Sequence, residues 1–454
     1  MRLFSSRNPA VKIRGIHFDL KGLPPAPSRF VELLDILAAA RINCVLVEWE
    51  DQYPWWTHPD IRNESAYSEK CVREFLARAK ALKIEVIPLV QCYGHLENVL
   101  RKPRFIGMRE LPDHPADLCP FNPDSQKLII TLIDDVLRTH EGKIKRFHLG
   151  GDEARTLGSC PKCKAFIEKR GKAALYLRHV GPLLDHLRER GLRPILWDDM
   201  MREWPMKALR ELSARAELMC WSYGAEPFRW LKREYLGRFA KAGVTLWGAS
   251  AFKGGDGPCR DVPDLRNRAA NEVAWAREAQ KRKMEGVIAT GWSRYSTFTA
   301  PCEGIEASLD SLVLAGAAMW DGMLPKDAVD QAHRLLCTGK LKRIAGDRFL
   351  RCLEASQKME KWKQEFAARM ESYQAMAFIV GESDRANVEW AHRAFARMEQ
   401  WMHQGEEIAC EWIAAHKGLV PDIWLERCAE SRQIVLRKIT KMLVAEGRAK
   451  TPER

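Results

Sequence analysis

A chain of 454 residues with a formal charge of +13 and 13 cysteines is too long for one small domain and suits a barrel of about 250 to 330 residues with an appendage. An odd number of cysteines, scattered singly along a chain this large, excludes a disulfide framework. The opening residues carry no apolar stretch of the length a secretory signal needs, and the longest apolar run, 309–320, is interrupted by Asp310 and Ser311. The expectation is therefore a soluble, cytoplasmic protein with no membrane partner. Basic residues interleave with acids, as over 358–365, so the positive balance reads as a solvated surface and no nucleic-acid partner is expected.

Taken in order, eight short runs rich in β-branched residues predict strands at 13–20, 43–49, 84–90, 145–150, 193–198, 217–221, 244–249 and 286–292, separated by helix-like stretches. Ser28 can cap a helix over 29–41, whose Phe30, Leu33, Leu34 and Leu37 follow helical spacing. Asp124 can open another over 125–139, and a third over 172–190 stops at Gly191. The first strand-to-helix turn, residues 19–25, has no GxGxxG, which argues against a doubly wound nucleotide fold. The pattern predicts an α/β protein: a (β/α)8 TIM barrel over 1–325 followed by an α-helical region over 326–454. In that last region Ala391, Phe395, Met398 and Met402 recur at helical spacing, and 350–376 and 424–447 read the same way. Their aromatic content makes a homodimer through these helices the candidate assembly.

The fourth predicted strand runs into Gly150-Gly151-Asp152-Glu153. Successive side chains of a strand point to opposite faces, so Asp152 and Glu153 can serve one pocket only where the backbone has left the strand, and the glycine pair permits that. Considered alone, such a pair is better read as a helix cap. Tryptophans, however, close five predicted strands: Trp49, Trp197, Trp221, Trp247 and Trp292. Polar groups share those ends: Asp19 and Lys21, Glu48, Glu50 and Asp51, Tyr93 and His95, Asp198 and Asp199, Tyr223, and Arg294 with Tyr295. In a barrel these ends surround the active site, where indole faces suit the C–H surface of a sugar. The Cys160-Pro161-Lys162-Cys163 knuckle supplies two of the four ligands a structural zinc needs; without a second CxxC, no metal is expected.

The phrase His148-Leu149-Gly150-Gly151-Asp152-Glu153 resembles the catalytic motif of family 20 glycoside hydrolases, the β-N-acetylhexosaminidases. Leu20-Lys21-Gly22, Glu48-Trp49-Glu50-Asp51, Ile87-Pro88-Leu89-Val90-Gln91, Trp197-Asp198-Asp199-Met200, Ala249-Ser250-Ala251-Phe252-Lys253-Gly254 and Thr290-Gly291-Trp292 are similar to the hexosaminidase D branch, over roughly residues 12–320. The resemblance implies retaining hydrolysis of terminal β-linked N-acetylhexosamine from glycoconjugates, without metal or organic cofactor.

Most retaining glycosidases use a carboxylate nucleophile; in family 20 the substrate's acetamido oxygen attacks instead, and an adjacent Asp-Glu pair fits that exception. By the resemblance, Glu153 is the acid and base, which calls for a raised pKa, and Asp152 holds the acetamido N–H and offsets the oxazolinium charge. Tyr223 holds the acetamido carbonyl. Trp197, Trp247 and Trp292 box the acetyl group and stack beneath the ring, Trp221 orients Tyr223 or joins them, and His95 supports the acid. Three positions depart from the family pattern: Lys21 where an arginine is usual, Ser222 where many members have aspartate, and Arg294 where a glutamate is common. The hexosaminidase D branch implies tolerance of, or preference for, the galacto sugar. Two other readings fit the residues: a barrel glycosidase with an enzyme nucleophile, and a glycan-binding barrel without activity.

Overall fold

In the computed structural model, which describes residues 2–257, 260–293, 303–379 and 385–427 (side chains at 367 and 370–399 excepted), eight parallel strands close into a barrel. In chain order the strands are β1 Ile13–Asp19, β2 Cys44–Glu48, β3 Glu85–Leu89, β4 Arg109–Leu111, β5 His114–Leu118, β6 Arg146–His148, β7 Arg193–Trp197, β8 Glu217–Trp221, β9 Leu246–Lys253 and β10 Gly286–Gly291. Around the barrel they follow the order β1-β10-β9-β8-β7-β6-β3-β2, leaving β4 and β5 as a separate antiparallel hairpin. All eight predicted strands are present. The hairpin escapes a search for β-branched runs because 109–118 carries Pro112, Asp113, Pro115 and Asp117.

Two strands end two or more residues from expectation, and both ends matter at the site. β6 stops at His148, and β9 continues to Lys253, so Trp247 stands at the start of its strand. The first helix is Pro27–Ala39, with Ala26 at its N-cap and no side-chain cap. Ser28 lies inside the first turn, and Pro27 fixes the entry by its preset φ. Asp124 is the N-cap of Ser125–His140 but makes no capping hydrogen bond.

Alternation along the strands divides the core. Ile13, Leu46, Ile87, Ile195, Met219 and Ile288 fill the barrel interior, while Phe18, Val45, Val47, Phe147 and Leu196 pack outward under the helices. Past β10, the described residues form only helices, turns and one isolated bridge, with long helices at Gly346–Ile379 and Arg385–His416. Ala332, Leu336 and Phe349 join the barrel's own outer core, so apolar packing continues beyond residue 325. A separate cluster of Cys352, Met359, Trp412 and Trp424 packs on Leu23 in the first strand-to-helix turn. The buried Arg29 fork clamps Glu306 through Nε (2.6 Å) and Nη2 (2.8 Å) and donates from Nη1 to the Ile344 carbonyl, tying barrel to helical region. Of the apolar stripe at 391–402, only Met402 has a described side chain, and 428–447 lies outside the described residues. No described helix is long and apolar enough to cross a membrane.

Candidate active site

Period-two alternation decides which side chains reach the barrel mouth. On β7 the parity that turns Trp197 inward also turns Asp199 inward and sends Asp198 outward, where Arg202 holds it at 2.8 and 3.1 Å. On β8 the same rule sends Trp221 and Tyr223 in and Ser222 out, its hydroxyl donating to the Pro227 carbonyl. Trp221 stacks on Tyr223 with centroids 5.2 Å apart and an 18° interplanar angle. Trp292 stands 6.2 Å from Tyr223 and 5.8 Å from Trp197, and Trp197 lies 4.4 Å from His148. These rings form a continuous aromatic wall.

The carboxylate pair follows β6. Gly150 and Gly151 take φ of +60° and +81°. A Cβ on Gly150 would sit 1.8 Å from Gln91 Oε1, and one on Gly151 2.2 Å from the Tyr176 hydroxyl, so both the conformation and the space require glycine. Glu153 itself has φ of +44°, a left-handed turn that breaks strand alternation. As a result the neighbouring acids face one group: His95 Nε2 lies 3.5 Å from Asp152 Oδ2 and 3.4 Å from Glu153 Oε2. They differ in environment. The Asp152 side chain is 7% exposed and that of Glu153 33%, and Asp152 Oδ1 is buried without a hydrogen-bond partner among the described residues.

Charge is organised around His95. Burial lowers its basicity, but the Asp152 charge and hydrogen bonds to both acids outweigh that and raise it to about 11, so it is an imidazolium at neutral pH. The His95 hydrogen bond, against partial burial and with help from Arg155, in turn holds Glu153 below the usual carboxylate range. That is opposite to the raised value expected for Glu153, and the cause is a cation at 3.4 Å. Burial, with Asp152 nearby, holds the Tyr223 hydroxyl well above the ordinary tyrosine range and keeps it a donor.

Asp199, like Glu48, stands among the expected rim residues without a role assigned to it from the sequence. Its Oδ2 accepts the Glu153 backbone N–H at 2.9 Å and its Oδ1 the Trp221 indole N–H at 3.3 Å, coupling the acid loop to the aromatic wall. Burial, then the charges of Asp152 and Asp198, raise its pKa from 3.8 to about 7. A raised folded-state pKa adds stability that is complete below the unfolded value and is lost as pH climbs through about 7. Asp199→Asn removes that titration at the cost of one acceptor. Its melting temperature relative to the native protein is expected to be several degrees more favourable at pH 8 than at pH 5; a difference independent of pH would refute the charge assignment.

Lys21 lies on the other side of the mouth, 2.8 Å from Glu48, 3.1 Å from Glu50 and 3.3 Å from Asp19. Glu48 also takes His17 at 3.2 Å and the Gln91 amide at 3.1 Å, and Gln91 Oε1 accepts the Gly151 N–H. Lys21 is thus wired to the glycine turn that presents the acids. Glu48, Gln91 and His17 are further site residues, and each shares strand parity with a residue already singled out.

Some expected members are elsewhere. Trp247 lies at the closed end of the barrel: its indole donates to Glu217 at 2.7 Å, and the Arg146 guanidinium sits 5.1 Å over its ring. It cannot reach a group at the mouth, because β9 runs six residues beyond it. Trp49 turns outward against Phe30, Tyr53 and Phe75. Arg294 and Tyr295 lie outside the described residues. The CxxC does not stand alone either, since Cys119 and Glu110 come within reach of both its thiols.

Residues 12–236 match the family model "Glycosyl hydrolase family 20, catalytic domain". Hexosaminidase D of Bos taurus is 31% identical over 344 residues, covering 73% of this chain and 99% of that protein. Hexosaminidase D of Homo sapiens is 32% identical over 343 residues, covering 73% and 70%. Among solved structures, the chitobiase of Flavobacterium johnsoniae superposes with a TM-score of 0.56 at 16% identity, over 98% of this chain and 74% of that one. The β-N-acetylhexosaminidase of Bacteroides fragilis gives 0.53 at 17% identity, over 69% and 67%. These two share the fold. A closed parallel barrel with paired acids and an aromatic wall at one mouth, together with these relatives, makes the chain a glycoside hydrolase. It belongs to glycosyl hydrolase family 20, and the hexosaminidase D proteins are its relatives in sequence.

Proposed function

We propose that the enzyme removes terminal β-linked N-acetylglucosamine or N-acetylgalactosamine from glycoconjugates by substrate-assisted catalysis with retention. The observation that carries this reading is the left-handed turn at Glu153, which puts two consecutive carboxylates on one side of a single pocket, on one imidazolium. Acids so placed cannot flank a sugar from opposite faces, as a nucleophile and a proton donor must. Asp152, buried with Oδ1 unpartnered, suits the acetamido N–H. Tyr223 donates to the acetamido carbonyl and aligns its oxygen on the anomeric carbon. As that C–O bond forms and the glycosidic bond breaks, Glu153 gives its proton to the leaving oxygen. The resulting carboxylate then takes a proton from the water that opens the oxazolinium ring. Trp197 and Trp292 support the acetyl group and ring, Trp221 holds Tyr223, and Lys21 and Arg294 are assigned to sugar hydroxyls.

A panel of nitrophenyl glycosides tests the reading. Turnover is expected only with 2-acetamido sugars, and a thiazoline mimic of the cyclised intermediate should inhibit competitively. Equal turnover of plain β-glucoside or β-galactoside would overturn it.

His95 sets the working pH range on this scheme. The descending limb of kcat/KM at high pH reports loss of the proton on Glu153, whose pKa His95 depresses. His95→Asn should shift that limb to higher pH while lowering the maximum. A limb that stays in place, or moves down, contradicts the assignment.

A further inference from the structure

We propose that Cys119, Cys160, Cys163 and Glu110 form a tetrahedral zinc site that fastens the β4–β5 hairpin to the loop carrying Glu153. The four residues come from two separate segments: Glu110 in β4 and Cys119 just past β5, and Cys160 and Cys163 at the start of the helix Pro161–Arg170. Their ligand atoms all lie within 4.8 Å of one another.

The spacings suit a metal. Cys119 Sγ is 3.7 Å from Cys160 Sγ and 3.8 Å from Cys163 Sγ. Zinc bonded to thiolates at about 2.3 Å with tetrahedral angles puts sulfurs about 3.8 Å apart. A disulfide would need them at about 2.0 Å. Cys163 Sγ lies 3.3 Å from Glu110 Oε2, near the sulfur-to-oxygen edge of about 3.5 Å that follows from zinc–oxygen bonds of about 2.0 Å.

The surroundings are those of a ligand set held in place. Glu110 is buried, and its other oxygen, Oε1, accepts the backbone N–H groups of Gly158 (3.1 Å) and Cys160 (3.0 Å), which fixes the carboxylate's orientation. Cys160 Sγ accepts the Cys163 N–H at 3.4 Å. Leu175, Phe121, Leu157, Phe166 and Ile167 enclose the cluster and limit access of water. Three thiolates and one carboxylate in a closed, four-ligand arrangement select zinc over magnesium or calcium, which prefer more oxygen ligands. No protein ligand position is left open, so the role is structural.

The location couples the metal to catalysis. Thr156, three residues past Glu153, bonds Asp117 of β5 through both its N–H and its hydroxyl, each at 2.7 Å. The same hairpin bonds the His95 loop, Leu96 N–H to the Ala116 carbonyl and Leu118 N–H to the Tyr93 carbonyl. Zinc would therefore brace the two loops whose meeting point is the His95 contact with Asp152 and Glu153.

The test uses the full chain purified without a metal-affinity column. Elemental analysis should find about one zinc per chain. Cys119→Ser and Cys160→Ser should each reduce it at least tenfold, whereas Cys410→Ser, at an exposed cysteine, should leave it intact. Because ligand variants can misfold, the native protein is also stripped with a chelator and titrated with cobalt(II), followed by absorption and circular dichroism. Sulfur-to-cobalt charge-transfer bands and visible bands of tetrahedral cobalt are expected, at one equivalent. Folded native protein that contains no metal and gives no thiolate–cobalt bands would overturn the proposal. So would a disulfide within this cysteine trio, found by mass spectrometry of the protein alkylated without reduction.

Discussion

Glu153→Gln is expected to lower kcat/KM on an alkyl N-acetyl-β-glycoside by about 10² to 10⁴-fold, the range for loss of a positioned general acid. The substitution is nearly isosteric, and the backbone N–H of residue 153 keeps its bond to Asp199, so the loop should stay in place. What disappears is the proton, and the need for it depends on the departing group. An alkoxide leaves only when protonated, whereas a dinitrophenolate leaves unaided. Because kcat/KM reports steps up to the first irreversible one, which on the proposed mechanism is ring closure, the loss should shrink to about tenfold or less on dinitrophenyl substrates. Parallel kinetics on the two leaving groups makes the check. An equal loss on both would mean that Glu153 does something other than donate a proton, and the proposed roles would fall.

The barrel was legible because most of its strands are short, largely buried apolar runs set between helix-like stretches, a pattern that survives translation into sequence. The acids were legible through the two glycines before them. What failed did so for identifiable reasons. β9 was cut short because Ala249-Ser250-Ala251 lacks β-branched residues, and that truncation moved Trp247 from the barrel floor to its mouth. Asp199 could have been found by extending strand parity two residues beyond Trp197. The direction of the Glu153 pKa could not, since the His95 contact lowers it only because the charge of Asp152 helps keep that imidazole protonated. The cysteine cluster is also non-local: Cys119 and Cys160 are 41 positions apart, and Glu110 and Cys160 are 50 apart. A search for a second CxxC therefore missed ligands that a hairpin delivers from far upstream.

Asp152→Asn is expected to cost about 10² to 10³-fold in kcat, the range for removing one group that stabilises charge formed in the transition state. Asparagine keeps the size and one acceptor oxygen, so substrate should still bind and KM should change little. It removes the negative charge in a buried position, where an oxazolinium would be offset most strongly. It also removes the main charge that keeps His95 protonated, which frees Glu153 from part of its depression and should carry the high-pH limb upward. Replacing the acetyl group of the substrate by mono-, di- and trifluoroacetyl groups separates this from a merely structural effect. Fluorine withdraws electrons from the carbonyl oxygen, so if that oxygen is the nucleophile, the native rate must fall steeply along the series. Tyr223→Phe should lower every rate in the series while preserving the slope, because it removes alignment and leaves the nucleophile unchanged. A native enzyme indifferent to fluorination would have its nucleophile in the protein. In that case the neighbouring acids at the end of β6 would need a different division of labour.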